Sequence, residues 1–188
     1  MYTVSEIYRL KRMAGMVESK HRIIDVGFAH QPNPFLANAQ IIGVDVEQAP
    51  LPENYQDAFY GTLAQWHEAG HAPAEALVAG EIIEHVEQPI DFLRDCFRVI
   101  APGGLLVLST PNPNSFIERL LTLTLSRRFF YSQDHLMLFP QRWLIRMLET
   151  ANFRDVQLYS GGFPVPMFGL VPFPRSWCYQ TIATATRD

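Results

Sequence analysis

A chain of 188 residues, 48% hydrophobic and 18% charged, has the length and apolar content for one sizeable core and is excluded from the disordered class. Fifteen basic against nineteen acidic residues leave a net charge of −4, which argues against a general nucleic-acid footprint and leaves room only for a local basic patch. Cys96 on an apolar helix face and Cys178 in an apolar segment read as reduced core residues, not as a disulfide framework. No stretch has the pattern of a secretory leader and no apolar run reaches spanning length, so the expectation is a cytoplasmic protein of one domain, residues 1–188.

Thr3-Val4-Ser5-Glu6 has capping-box spacing, and Ile7, Leu10 and Val17 follow at helical intervals, which predicts a leading helix over 4–19 that covers the sheet or one side of a ligand site. His21 to Gly27 reads as a buried strand ending in Asp25 and Gly27, and Gln40 to Asp45 as a second. Pro32 and Pro34 fall between them, so any crossover helix is short, near 33–38. Asp45 at a strand's carboxyl end suits a carboxylate that accepts bonds from two ribose hydroxyls; a solvated turn aspartate is the plainer alternative. Asp57 to Gly61 is the candidate third strand, with a short helix over 63–71 ended by Pro73.

That helix holds His67-Glu68-Ala69-Gly70-His71, a literal H-E-x-x-H. Gly70 inside the motif, Pro73 just after it and the lack of a third ligand in register favour a polar surface helix over a zinc site. Leu77-Val78-Ala79 then stops at Gly80 as a strand buried on both faces would, and Leu105 to Leu108 is its partner after the Pro102-Gly103-Gly104 turn. Phe92, Leu93, Cys96, Phe97 and Ile100 recur at helical spacing between them, which makes a right-handed crossover unit of a parallel sheet. Ligands of such sheets bind beyond the carboxyl ends of the strands, where Glu81, Glu84 and His85 lie. If that segment is helical, the three share one face.

Ser115 to Glu118 is another capping box, opening a helix to about Ser126 that is apolar nearly all round. The 113–139 stretch is therefore a lid-like insertion, a homodimer contact through 116–139 or a membrane-surface element, with packing or dimerisation outweighing membrane contact. Pro140 starts a helix with Trp143, Leu144, Met147 and Leu148 apolar, and Asn152 suits the left-handed cap that ends it. Phe153 to Tyr159 and Ser176 to Thr184 read as strands joined by a hairpin-like return through Gly161 to Pro174.

Taken in order, IIDVG, IIGVD, ALVAGEIIEHVEQP, APGGLLVLSTPNP and HLMLFPQRWLIRMLETANF resemble the S-adenosylmethionine-dependent methyltransferases, above all the branch with an A-G-E-x-I-E-H segment that includes relatives of ubiquinone-biosynthesis O-methyltransferases. The resemblance implies an α/β Rossmann-like fold: a mostly parallel seven-stranded sheet of order 3-2-1-4-5-7-6, last strand antiparallel, with helices on both faces. It implies that Asp25, Gly27, Phe28 and Ala29 face the methionine part of S-adenosylmethionine. Asp45 holds the ribose, Val46, Thr62 and Leu63 lie by the adenine, and Ala79 and Gly80 present backbone to the amino acid end. The chain departs from the family's G-x-G-x-G after the first strand, where Gln31 takes the place of the third glycine, and Thr62 stands where relatives often have an acid.

Methyl transfer to a hydroxyl needs a base, or a metal that lowers the hydroxyl's pKa. Candidate catalytic residues are His85, His135 and Glu84. Glu81, Glu84, His85 and His135 resemble an E-x-x-E-H metal site suited to Mg²⁺ or Mn²⁺, with zinc also open to the imidazoles. The alternative is that Glu84 and His85 only cap a helix and hold the His135 loop. The expected partner is a small-molecule, lipid-linked or saccharide acceptor. The rival function is a non-catalytic scaffold on the same fold; NAD-type oxidoreduction is disfavoured by the lone Gly27.

Overall fold

A computed structural model describes residues 2–124, 136–165, 169–171 and 174–188. Helix α1 (Val4–Val17) opens on the expected capping box, with Thr3 Oγ1 accepting from the Glu6 N–H at 3.3 Å and Glu6 Oε2 from the Thr3 N–H at 2.6 Å. Its buried positions, Ser5, Arg9, Met13 and Val17 with Leu10 and Ala14, fall three and four apart and make one stripe. The strands that follow are β1 (Arg22–Val26), β2 (Gln40–Asp45) and β3 (Asp57–Tyr60), then α2 (Leu63–Glu68), β4 (Ala74–Gly80), α3 (Pro89–Val99) and β5 (Ile100–Pro111). The chain continues through α4 (Phe116–Thr124), α5 (Gln141–Thr150), β6 (Arg154–Ser160), the hairpin β7 (Phe163–Val165) and β8 (Gly169–Val171), and β9 (Gln180–Thr186). Asn152 takes the expected left-handed conformation after α5, at φ 73°.

The seven-stranded sheet runs β3-β2-β1-β4-β5-β9-β6. Strands β1 to β5 pair in parallel, and β9 enters antiparallel between β5 and β6, which is the expected 3-2-1-4-5-7-6 order. One face is covered by α2, α3 and α5, whose Leu63, Leu93, Leu144 and Leu148 pack on Ile24, Leu77 and Leu106. The other carries Met13, Ala14 and Val17 of α1 with Phe28, Leu36 and Tyr55, against Ile23, Ile41 and Val78. In α4, Phe116, Leu120 and Leu123 are exposed. Residues 125–135, within the stretch expected as a lid-like insertion, lie outside the described residues. Among the described residues no helix is long and apolar enough to cross a membrane.

The short helix expected near 33–38 is not formed; the β1–β2 connection is an irregular loop. Pro32 and Pro34 deny it backbone donors, and Asn33 substitutes side-chain bonds. Its Nδ2 donates to the Leu10 carbonyl at 3.0 Å, its Oδ1 accepts from the Phe35 N–H at 3.1 Å, and its own N–H reaches Tyr55 Oη at 2.9 Å. Asp25 lies below this loop, accepting from the Tyr55 hydroxyl and from the Asn33 N–H at 3.3 Å. With no crossover helix, α1 covers this side of the sheet.

Burial pushes the Asp25 carboxyl up to about 7 against those hydrogen bonds, so the folded protein keeps a proton that the unfolded chain has already released. A raised carboxyl stabilises the fold at acidic pH, and that contribution is lost as pH rises through the folded value. The urea midpoint of the wild type therefore falls on going from about pH 5 to about pH 9. Asp25→Asn, which keeps an acceptor for Tyr55 and Asn33, flattens that fall and is more stable than wild type at the alkaline end; an unchanged pH profile would contradict this assignment.

Candidate functional site

The carboxyl ends of β1, β2 and β4 border a cleft of about 820 Å³ whose wall includes Gly27, Asp45, Gly80 and Ile82. It opens where the chain leaves β1 and β4 in opposite directions, the point at which open α/β sheets bind ligands. Gly27 follows β1 at φ 79°, and Ile82 Cδ1 fills the space that a Cβ there would need. The loop approaches the cleft as bare backbone because glycine alone fits under Ile82.

Asp45, the last residue of β2, is 8% exposed. Its Oδ2 accepts from the Ala29 N–H at 2.9 Å and its Oδ1 from the Glu47 N–H at 3.0 Å. Two backbone donors hold the carboxylate in place and leave lone pairs on both oxygens for a ligand. Val46 beside it is exposed on the cleft wall, with Thr62 and Leu63 beyond. Thr62 is the N-cap of α2, its hydroxyl accepting from the Gln65 N–H at 3.2 Å while Gln65 Oε1 takes the Thr62 N–H at 2.8 Å. The side chains of Asp25, Phe28 and Ala79 are buried below the cleft floor; Phe28 packs over Gly43 and against Tyr55 and Tyr60.

Arg9 is the residue the sequence did not single out. It is 1% exposed, and its guanidinium lies behind Gly80, where Nη1 is 2.9 Å from the position of a Cβ. Nη1 donates to Ser109 Oγ at 2.9 Å, Nη2 donates to Gln31 Oε1, and Nε is buried with no hydrogen-bond partner. Ser109 in turn donates to Glu81 Oε1 at 3.2 Å, and Gln180 Nε2 to Glu81 Oε2 at 3.1 Å. The signal was the spacing Ser5, Arg9, Met13, Val17, which puts a cation in the middle of the buried stripe of α1.

Residues 8–158 match the family model described as a methyltransferase domain. This chain belongs to that methyltransferase family. It is similar to the ubiquinone biosynthesis O-methyltransferase of Roseobacter denitrificans, 29% identical over 182 residues, an alignment that covers 85% of this chain and 66% of the relative. The chain thus spans just under two thirds of that relative's length. In fold it is similar to a SAM-dependent methyltransferase from Archaeoglobus fulgidus, with TM-score 0.70, 16% identity, and 96% and 92% of the two chains covered. It is also similar to the 1,6-didemethyltoxoflavin-N1-methyltransferase of Burkholderia thailandensis, solved with that substrate and S-adenosylhomocysteine bound, at TM-score 0.65, 14% identity and 95% and 78% coverage.

In this methyltransferase domain the E-x-x-E-H segment is not a continuous helix. Glu81 takes a left-handed φ of 57°, and only Ile83–His85 form a 3-10 turn, so the three side chains do not share a face. Glu84 turns into the core at 0% exposure, its Oε2 accepting from the Thr110 hydroxyl at 3.1 Å and its Oε1 left without a partner. Burial, and then the Glu81 charge, pushes its carboxyl up to about 8; burial raises Glu81 as well, against the Arg9 guanidinium. The Glu84 carbonyl accepts from the N–H groups of Leu136 and Met137 at 2.8 and 3.3 Å, tying down the last residues of the expected 113–139 insertion.

His85 is exposed on the cleft wall, whereas His135 lies outside the described residues. Among the described residues no three His, Cys, Asp or Glu side chains gather as metal ligands, so the expected Glu81, Glu84, His85 set is not assembled. The H-E-x-x-H stretch is likewise no site: α2 ends at Glu68, Gly70 turns the chain at φ 74°, and His71 stacks flat on Trp66 at 4.0 Å.

Proposed function

We propose that the cleft binds S-adenosylmethionine and that the domain methylates a hydroxyl of a small-molecule, lipid-linked or saccharide acceptor. The observation that carries this reading is the held Asp45 carboxylate on the wall of a cleft bordered by Gly27 and Gly80, with the Arg9 guanidinium buried behind Gly80. The β2 and β4 ends stand two strand spacings apart, about 10 Å, a gap that a ribose, a sulfur and a three-carbon chain can span. Asp45 offers its spare lone pairs to two ribose hydroxyls, and Arg9 offers a buried guanidinium to an α-carboxylate. Val46, Thr62 and Leu63 lie on the side where the base would sit. The hydroxyl as acceptor follows the name of the Roseobacter relative, and the cofactor follows the S-adenosylhomocysteine bound in the Burkholderia structure.

S-adenosylmethionine supplies a methyl group on a positively charged sulfur, which an oxygen nucleophile displaces in line. The protein's part is to fix that oxygen and to take its proton. We assign that proton to His85, which lines the cleft. Glu84, fully buried on Thr110, acts by holding the turn that presents His85. No step is assigned to a metal, because Glu81, Glu84 and His85 do not gather as ligands among the described residues.

A label-transfer assay tests the reading, with methyl-labelled cofactor and a panel of phenolic, aliphatic and saccharide hydroxyl acceptors. The expected result is label in at least one class, with S-adenosylhomocysteine bound by the free protein. His85→Ala then lowers kcat by roughly 10²- to 10⁴-fold while S-adenosylhomocysteine affinity holds. The scaffold reading draws on Gln31 in place of a loop glycine; it prevails if neither S-adenosylmethionine nor S-adenosylhomocysteine binds.

A further inference from the structure

Gln31 stands at the third glycine position of the family's loop, and both ends of its side chain are engaged. Its Oε1 accepts from Arg9 Nη2, and its Nε2 donates to Glu6 Oε1 at 2.8 Å. Glu6 is itself held by its other oxygen on the Thr3 N–H, and Arg9 by Nη1 on Ser109. The relay Glu6–Gln31–Arg9 therefore aims an amide oxygen at the guanidinium from a residue that lines the cleft.

We infer that Gln31 is a built-in competitor for the ligand's carboxylate: in the free protein its amide oxygen occupies the guanidinium position that the α-carboxylate of the cofactor takes on binding. This rests on the reading that the cleft holds S-adenosylmethionine. A buried cation needs partners: Ser109 and Gln31 accept from the guanidinium and a Glu81 oxygen lies 3.9 Å away, and the Gln31 amide adds an acceptor without adding charge. A carboxylate makes shorter, charge-assisted and two-pronged bonds to the same group, so it displaces the amide. The buried, unpartnered Nε of Arg9 gives the incoming carboxylate a further donor. A glycine at this position offers no such competition. Gln31 thus lowers affinity for ligands that carry the amino acid chain and is neutral toward those that lack it.

The test compares two probes by titration calorimetry. S-adenosylhomocysteine carries the amino acid chain, and 5′-methylthioadenosine has the same nucleoside and sulfur without it. In Gln31→Ala the first binds about tenfold tighter than to wild type, and the second is unchanged. The paired change Glu6→Gln with Gln31→Glu keeps the relay and puts a charged competitor on Arg9; it weakens the first probe about tenfold, again sparing the second. This pair reads the effect even where the alanine variant fails to fold. The inference is overturned if Gln31→Ala leaves S-adenosylhomocysteine unchanged or weaker, or if both probes shift together, as a purely structural role would cause. Should methylthioadenosine bind while S-adenosylhomocysteine ignores both changes, the cofactor reading stands and the competitor role does not. If neither probe binds any variant, both fall.

Discussion

Asp45→Ala lowers affinity for S-adenosylhomocysteine by about a hundredfold, the loss expected when two charge-assisted hydrogen bonds go. The same side chain accepts from the N–H groups of Ala29 and Glu47, so its removal also frees the loop that follows β1. Asp45→Asn separates the two effects. The amide keeps one acceptor for the backbone but loses the charge and half of the lone pairs, so its loop stays ordered while affinity still falls by about tenfold. Titration calorimetry reads the affinity, and amide hydrogen exchange at Ala29 reads the loop. Equal affinity in wild type and both variants would remove Asp45 from the site.

Arg9→Met is the second large effect, and it falls on stability and binding together. The guanidinium is buried, tied to Ser109 and Gln31, and 3.9 Å from a Glu81 oxygen. Methionine keeps much of the length and packs, but takes the guanidinium away from Glu81, which keeps its bonds to Ser109 and Gln180. Breaking a buried ionic network from one side costs about 3 kcal/mol, which for a chain of this length lowers Tm by about 10 °C. Affinity for S-adenosylhomocysteine falls in parallel, while 5′-methylthioadenosine affinity changes little once temperature is lowered to keep the variant folded. Arg9→Lys recovers part of the stability but little of the binding, because an ammonium cannot form the paired bonds of a guanidinium fork. A Tm within about 2 °C of wild type would show that Arg9 is a bystander.

How much of this the sequence disclosed follows from the range of each interaction. The caps at Thr3 and Ser115 and the left-handed Asn152 are local, and they are found where the pattern put them; the alternation of short apolar strands with helices is local too, and it fails between β1 and β2. The order of the sheet followed from the family resemblance. The β1–β2 connection was misread because the 33–38 stretch is long enough for a turn of helix. The bonds that decide it run from Asn33 to Leu10 and Tyr55, far along the chain.

Glu81, Glu84 and His85 were spaced for one helix face, but the left-handed φ of Glu81 depends on contacts with Ser109 and Gln180 that no local window contains. Asp25 and Phe28 border the right loop, yet strand alternation sends the Asp25 side chain below it, and Phe28, in the turn after β1, packs down over Gly43. Arg9 was hidden for the same reason: a helix that covers a sheet and a helix that delivers a cation to the sheet's edge have one and the same apolar period.

In the proposed complex a sulfonium nucleoside lies along the strand ends with its sugar on Asp45 and its carboxylate on Arg9. A crystal structure of the protein with S-adenosylhomocysteine tests it most directly. The predicted result is both ribose hydroxyls within hydrogen-bond reach of the Asp45 carboxylate, and the α-carboxylate on the Arg9 guanidinium with Gln31 turned aside. A nucleoside bound away from the Gly27–Gly80 floor, or seated there with its ribose facing away from Asp45, would contradict the account.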